Sequence, residues 1–159
     1  MATPKPLTFL CVGSAVQDVF LSHSSEFVPV CESPEECFFN IPLGDKVNVN
    51  RIDFSTGGGA TNAATTFVRA GENAIFLGQI AHDPAGAAVM HMLDEEGIDA
   101  THAKYSSRYH TGYSVLLLAP GGERTILTYR GASTHFHPEN FDLNNVETQF
   151  DWAYVSSLN

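Results

Sequence analysis

Three consecutive glycines, Gly57-Gly58-Gly59, stand directly before a segment with helical character, and they constrain the fold more than any other feature of the chain. Because these residues lack Cβ atoms, their backbone can approach a ligand closely. The helix is predicted over Thr61–Ala70, with Gly71 just past its end. Its first N–H groups lack partners within the helix and suit hydroxyl or phosphate oxygens, while Asn62 can both donate and accept. The segment predicts a ligand-binding turn; the alternative is a glycine-rich strand-to-helix connection.

Two familiar glycine-rich nucleotide sites do not fit this segment. A P-loop ends in Gly-Lys-Ser/Thr, and that ending is absent. A dinucleotide fingerprint needs glycine where Asn62 stands, and it follows the first strand of its domain, whereas this segment follows a long flap. A nicotinamide-dependent oxidoreductase is therefore disfavoured.

The remainder of the chain alternates strand-like and helix-like patterns. Asp83-Pro84 predicts the start of a second helix, which Gly97 closes, and the proline-broken, acidic stretch Phe27–Asp53 predicts an irregular flap with short strands. Strands are predicted at Leu7–Val12, Val16–Leu21, Ala74–Ile80, Tyr113–Leu118, Arg124–Tyr129 and Trp152–Val155. This alternation predicts an α/β domain with a mainly parallel sheet.

Composition excludes several classes of partner. The chain has 159 residues and a formal net charge of −10, so its surface repels nucleic acid and anionic membranes. No stretch approaches the roughly 20 apolar residues of a membrane helix, and the amino terminus does not resemble a signal peptide. We therefore expect a cytoplasmic protein with no nucleic-acid or membrane partner.

The cysteines and histidines do not suggest a metal centre. The chain has three cysteines, Cys11, Cys31 and Cys37. Their odd number and lack of repeated spacing argue against a disulfide framework, and no Cys-x-x-Cys pair marks a zinc site. His135 and His137 lie two residues apart, but spacing suggests no third ligand. We expect no bound metal in this chain.

A second candidate ligand-binding piece follows the first strand. Gly13-Ser14 leaves that strand at its carboxyl end, where open α/β sheets bind ligands. Asp18 lies a few residues further on, and a carboxylate can accept two hydroxyl hydrogens in strong, charge-assisted bonds. The alternative is a solvated acid or a turn cap.

These pieces, in this order and spacing, resemble the ribokinase-like kinases of the PfkB family. The resemblance runs from about Leu7 to Asn159. It rests on five segments: Gly13-Ser14 with Asp18, Gly57–Ala64, Gly78–Gly86, Thr111-Gly112, and Gly122–Thr125 with Arg130-Gly131-Ala132. It implies a ribokinase-like three-layer α/β sandwich, present here in part, with a small β lid formed mainly by Val19–Phe54 and Thr101–Leu118.

The resemblance also implies roles for individual residues. Asp18 would accept sugar hydroxyls, Gly57 and Gly58 would pack their backbone against the sugar, and Asn62 would bond a further hydroxyl. Arg130 is a candidate for binding the carboxylate of an acidic sugar, the alternative being a surface ion-pair partner. Val16 stands where family members often carry asparagine, which weakens a ribose-like assignment.

The family's catalytic segment is absent from this sequence. Members carry a Gly-Ala-Gly-Asp turn in their carboxyl half, which supplies the anion hole and the general base, and the same half builds the ATP site. No such string occurs here, so the base is expected beyond Asn159. The resemblance implies ATP and Mg²⁺ for the parent protein, tight binding of neither by this chain alone, and no kinase activity from the chain alone.

Other functions remain open on the sequence. The chain can be a stand-alone sugar-binding module without catalysis. It can also be an interaction module, since lids of this family often meet across a two-fold axis in a homodimer. Whether the chain is part of a kinase or a binding module, its expected ligand is a sugar, a sugar acid or a nucleoside.

Overall fold

The computed structural model describes residues 5–22, 24–25, 27–33, 35–137, 143, 146 and 148–157. Asn159 lies outside them. The chain forms two compact units. Unit 1 comprises 1–17, 56–113 and 129–159, and unit 2 comprises 18–55 and 114–128.

Eleven strands and two α-helices are present in the described part of the chain, with one short 3₁₀ helix at Gly131–His135. The helices are α1 (Gly59–Arg69) and α2 (Pro84–Glu95). The strands are β1 (Thr8–Val12), β2 (Val16–Ser22), β3 (Val30–Ser33), β4 (Glu36–Phe38), β5 (Arg51–Gly57), β6 (Asn73–Leu77), β7 (Gln79–Ala81), β8 (Lys104–Ser106), β9 (Gly112–Leu118), β10 (Arg124–Tyr129) and β11 (Trp152–Val155).

A parallel three-stranded sheet in the order β11-β1-β6 forms the centre of unit 1. Alternate residues of its strands enter two separate apolar clusters. Cys11 and Phe76 pack with α1 and α2, whereas Leu10 and Ile75 pack with Phe136. Both faces of this sheet are therefore covered, as a parallel sheet requires, and the fold is the α/β ribokinase-like type that the sequence predicts.

The helices of unit 1 begin and end where local chemistry places them. At the start of α2, the Asp83 side chain accepts a hydrogen bond from the Gly86 N–H at 2.8 Å, with Pro84 in the first turn. Both helices are followed by a glycine with positive φ, Gly71 at 93° and Gly97 at 71°. These four positions confirm the predicted cap residues, although α1 begins at Gly59, two residues earlier than expected.

The sequence predicts one strand over Ala74–Ile80, and this prediction is wrong. The strand is interrupted at Gly78, so the segment forms two strands, β6 and β7. A Cβ on Gly78 would collide with the Gly13 carbonyl oxygen and approach the Phe76 ring to 2.6 Å. The backbone therefore turns away from β1 at this point. It pairs instead with β8, a strand that the sequence pattern did not reveal.

Unit 2 is built from strands alone. Its four-stranded sheet has the order β10-β9-β2-β5, and β3 and β4 form a separate antiparallel hairpin. In β9, Ser114, Leu116 and Leu117 are buried. Every residue of β10 is exposed, as is Arg51–Ser55 of β5, so both edge strands present side chains to solvent.

The expectation that the cysteines form no disulfide is wrong. Cys31 and Cys37 are bonded to each other, leaving Cys11 as a buried free thiol. The count of three misled the prediction, since one cysteine belongs to the core and the other two lie opposite each other on β3 and β4. Among the described residues, no helix has the length and apolar character needed to cross a membrane.

Candidate functional site

The glycine turn lies in unit 1, between β5 and α1. Gly57 is buried, and Gly58 has φ of 108°, a conformation that favours glycine. A Cβ on Gly58 would collide with the Ser14 carbonyl oxygen and lie 2.8 Å from the Ala15 Cα. Glycine is therefore required here, because the turn passes directly over the segment that leaves β1.

Thr61 holds the turn from inside the helix. Its side chain is completely buried, and its hydroxyl donates to the Gly57 carbonyl at 2.6 Å, with the Gly58 carbonyl at 3.1 Å. Asn62 follows with an exposed side chain in the first turn of α1. The two residues have different functions: Thr61 stabilises the turn, and Asn62 presents its amide to solvent.

Two N–H groups at the start of α1 are already occupied by Ser14, contrary to the expectation that the first turn would offer free donors. The Gly59 N–H donates to the Ser14 hydroxyl at 2.9 Å, and the Ala60 N–H donates to the Ser14 carbonyl at 3.2 Å. These two hydrogen bonds also explain why α1 begins at Gly59 and not at Thr61. The turn therefore has fewer open donors than the sequence suggested, and Asn62 remains the exposed polar side chain of the first helical turn.

Ser156, which the sequence analysis did not identify, also lies against the glycine turn. Its N–H donates to the Val12 carbonyl at 2.9 Å, just past the carboxyl end of β11. A Cβ on Gly59 would lie 2.5 Å from the Ser156 side chain, and one on Gly13 would collide with it. Small residues on three segments thus meet at the carboxyl edge of the parallel sheet, the usual ligand-binding edge of open α/β folds. The only sequence signal was a serine pair directly after a strand.

Arg130 also lies in unit 1, immediately before the 3₁₀ helix. It is exposed, and no acidic side chain in the described part of the chain forms an ion pair with it. Gly131 has φ of 55°, and a Cβ there would collide with the His110 carbonyl oxygen. The backbone at Arg130 is therefore fixed while its guanidinium remains accessible.

Asp18 lies in unit 2, on β2, and is half-buried. Burial raises the pKa of its carboxyl group, and a hydrogen bond from the Ser114 side chain offsets part of that effect. The Ser114 hydroxyl lies 3.3 Å from the Thr128 hydroxyl on β10. Asp18 thus belongs to a polar group on the sheet of unit 2. Because Gly57, Gly58, Asn62 and Arg130 belong to unit 1, their meeting with Asp18 at one ligand stays a prediction.

The segment Gly78–Gly86 proves to be structural. Asp83 accepts the Gly86 N–H through one carboxylate oxygen and the Thr111 N–H, at 2.9 Å, through the other. Burial alone would raise the pKa of Asp83, but these hydrogen bonds outweigh it and hold the pKa below its usual value. The exposed His110 imidazole lies 3.2 Å from the second oxygen. Asp83 is committed to protein contacts and is not a ligand candidate.

No group of three or more potential ligand side chains that could hold a metal ion occurs within the described residues. The carboxylates of Asp83 and Asp18 are engaged in other ways, since Asp83 caps α2 and Asp18 interacts with Ser114. The described residues therefore do not fit Mg²⁺.

Comparison with known proteins identifies the family. The family model described as "pfkB family carbohydrate kinase" matches residues 26–158. A fructokinase of Salmonella typhimurium is 35% identical over 122 residues, covering 73% of this chain and 39% of the relative. A ribokinase of Haemophilus influenzae is 29% identical over 98 residues, covering 62% and 32% respectively. The crystal structure of a Cryptococcus neoformans ribokinase with ADP superposes with a TM-score of 0.66, at 22% identity, over 95% of this chain and 42% of that one.

The chain belongs to the pfkB family of carbohydrate kinases. Its described portion has a ribokinase-like α/β fold. It spans about a third of the length of the curated ribokinase and two fifths of the fructokinase that it matches.

Proposed function

We propose that this chain is the amino-terminal, sugar-binding portion of an ATP-dependent carbohydrate kinase. In the parent protein, the γ-phosphate of ATP would pass to a hydroxymethyl group of a sugar, a sugar acid or a nucleoside. The observation that carries the proposal is the Gly57–Gly59 turn at the carboxyl edge of the parallel sheet, where the backbone of Gly58 crosses Ser14. A polyol ring can lie against such backbone without meeting a Cβ atom.

Each candidate residue has a distinct proposed role. Gly57 and Gly58 contact the ring through their backbone, and the exposed Asn62 amide bonds one hydroxyl as donor or acceptor. Asp18 accepts hydrogen bonds from two hydroxyls, which its carboxylate form does best. Arg130, exposed and without an ion-pair partner among the described residues, would bind a carboxylate if the substrate is a sugar acid.

Phosphoryl transfer depends on positioning and on electrostatic stabilisation of the transferred group. ATP with Mg²⁺ would supply that group in the parent protein, and the general base and anion hole are proposed to lie beyond Asn159. The proposed task of this chain is to orient the accepting hydroxyl. We therefore propose that the 159-residue chain alone is inactive as a kinase and binds ATP weakly.

Unit 2 is proposed to act as the lid. Its first segment, Asp18–Ser55, coincides with the predicted lid segment Val19–Phe54, while the predicted segment Thr101–Leu118 overlaps unit 2 only from Ser114. A lid that excludes water would prevent water from competing with the sugar as phosphoryl acceptor. We propose a cytoplasmic location for the parent protein.

An interaction module is the second candidate function, favoured by the edge strands of the unit 2 sheet. Ile52 and Phe54 on β5 are 54% and 66% exposed, and Leu127 on β10 is 58% exposed. Exposed apolar residues concentrated on sheet edges are typical of surfaces that pair with another chain. A homodimer through unit 2 is compatible with sugar binding as well as with a purely structural role.

Ligand-observed NMR on the 159-residue chain tests the proposed binding function. Fructose, ribose and an acidic sugar are compared at equal concentration, and saturation transfer is expected to at least one of them. Asn62→Ala should reduce the transfer, while Asn73→Ala, an exposed asparagine at the start of β6, should leave it unchanged. Equal transfer to both variants, or none to any sugar in the wild-type chain, contradicts the proposal.

A further inference from the structure

A hairpin at the surface of unit 2 carries the disulfide. Cys31 on β3 and Cys37 on β4 lie directly opposite each other in the antiparallel register, between the pairs Val30–Phe38 and Ser33–Glu36. Both cysteines are exposed. An attacking thiol can therefore reach the bond, whereas the third cysteine, Cys11, is fully buried in unit 1.

Little else among the described residues holds the two strands of this hairpin together. They form a sheet of their own, and an isolated two-stranded hairpin is marginally stable in water. Its register shifts between Cys31 and Ser33, and Glu36–Phe38 is wholly exposed. The covalent bond is therefore the main constraint on the paired arrangement.

The base of the hairpin has a separate anchor. Phe27 is 3% exposed, and its ring lies 5.8 Å from that of Phe39, the residue that follows β4. This aromatic contact involves neither cysteine, so it should keep the end of the hairpin on unit 2 after reduction of the disulfide. Loss of the bond should therefore release β3 and β4 while leaving the sheet of unit 2 in place.

The hairpin lines a cavity within the same unit. Cys37, Phe38 and Phe39 form one side of a cavity of about 380 Å³, and Ala119 and Glu123–Thr125 form another. Cys37 is therefore both a wall residue of this cavity and a bonded cysteine.

We propose that Cys31 and Cys37 are a reversible dithiol–disulfide pair that switches the β3–β4 hairpin between a closed and an open form. This inference goes beyond the proposed sugar-binding function and does not depend on it. In the oxidising direction, a small-molecule disulfide such as oxidised glutathione is attacked by one cysteine thiolate, which forms a mixed disulfide and releases one glutathione. The second cysteine thiolate then displaces the other glutathione, so two thiols are oxidised while one disulfide is reduced to two thiols.

The location of the bond favours a switch over a structural staple. A disulfide stabilises more when it closes a longer loop, and this one joins residues only six apart. It also lies outside both apolar clusters of unit 1. Reduction should therefore affect the hairpin locally.

The test is a redox titration of the complete 159-residue chain in mixtures of reduced and oxidised glutathione. Acid quenching, alkylation and mass spectrometry count the free thiols at each ratio. We expect Cys31 and Cys37 to gain label together as a two-electron pair, while Cys11, a free thiol in both states, carries the same label at every ratio. Failure of the bond to form in oxidised glutathione would overturn the proposal.

Hydrogen exchange on the same samples tests the conformational part. Peptides covering 28–39 should exchange at least about tenfold faster after reduction, since a short cross-link of this size constrains the open state by that order. Peptides from β1 and α1 should be unaffected. A C31S/C37S double variant should exchange rapidly in both redox buffers. Unchanged exchange in 28–39, or loss of protection throughout the chain, would refute a local switch.

Discussion

The Asp83 carboxylate accepts a hydrogen bond from the Thr111 N–H at 2.9 Å, across 28 residues of sequence. The other oxygen of the same carboxylate caps α2 through the Gly86 N–H. The Thr111 hydroxyl in turn accepts the Ala81 N–H at 2.8 Å. One partly buried group of hydrogen bonds therefore connects the end of β7, the start of α2 and the residue that precedes β9.

Replacing Asp83 should destabilise unit 1. Asp83→Ala removes a helix cap and leaves the Thr111 N–H without its acceptor, a combined loss of about 2 kcal/mol. For a chain of this length, this corresponds to a fall in Tm of roughly 4–8 °C. Asp94→Asn, at an exposed position of α2, is the matched control and should change Tm little. Calorimetry of both variants checks the prediction, and equal Tm values would contradict it.

The same carboxylate predicts a pH dependence. Hydrogen bonds hold the pKa of Asp83 below its unfolded value, so the folded state favours the ionised form. The stability that this contributes is present above the unfolded pKa and is lost as the pH falls through the folded pKa. Thermal melts of the wild-type chain from neutral to acid pH should therefore show a decline that Asp83→Ala partly removes. Parallel declines in the two proteins would show that other groups dominate.

The glycine turn allows a matched pair of substitutions. Gly58→Ala places a Cβ against Ser14 in a left-handed backbone conformation and should cost several kcal/mol or prevent folding. Gly121→Ala meets no atom within 4 Å and has no positive φ, so its Tm should be unchanged or slightly raised. Circular dichroism melts distinguish the two. A stable Gly58→Ala protein would show that the turn can move away from Ser14.

How far the sequence predicts this structure depends on the range of the interactions involved. The caps Asp83, Gly71 and Gly97 were identified because capping is local, and β11 was predicted with its observed bounds because its apolar run is short and sharply delimited. The break at Gly78 was missed, since its cause is the Gly13 carbonyl, 65 residues away. The disulfide was missed because cysteine counting contains no register information.

In the candidate site, too, local features were predicted, whereas contacts between distant segments of the chain were not. The turn at Gly58 was predicted from three consecutive glycines, and the structure adds the close approach of Gly58 to Ser14. The loss of open donors at α1 could not be foreseen, because Ser14 reaches them from the loop between β1 and β2, 45 residues earlier in the chain. Ser156 has no distinctive sequence signal, since its importance comes from lying against Gly13 and Gly59.

Asp18 should show opposing effects on stability and binding. Burial raises the pKa of its carboxyl group, so folding disfavours its charge, and the stability it contributes is present at low pH and lost as the pH rises through the folded pKa. Asp18→Asn should therefore raise the Tm slightly at neutral pH while reducing sugar binding, since an amide accepts fewer hydroxyl hydrogens. Thermal melts and ligand-observed NMR measure the two effects. A lower Tm, or unchanged sugar binding, would contradict the prediction.

If two chains associate through unit 2, the sedimentation profile should depend on protein concentration. A polar substitution on β5 should abolish that dependence. Phe54 is 66% exposed on this edge strand, and Phe54→Ser removes apolar area from the proposed contact without disturbing a packed core. Leu43→Ser is the control, because Leu43 is fully exposed in the same unit but lies outside the sheet. We expect the wild-type and Leu43→Ser chains to sediment as dimers at high concentration, and Phe54→Ser as a monomer. If all three sediment as monomers, unit 2 is not an association surface. If all three dimerise, the contact lies away from β5.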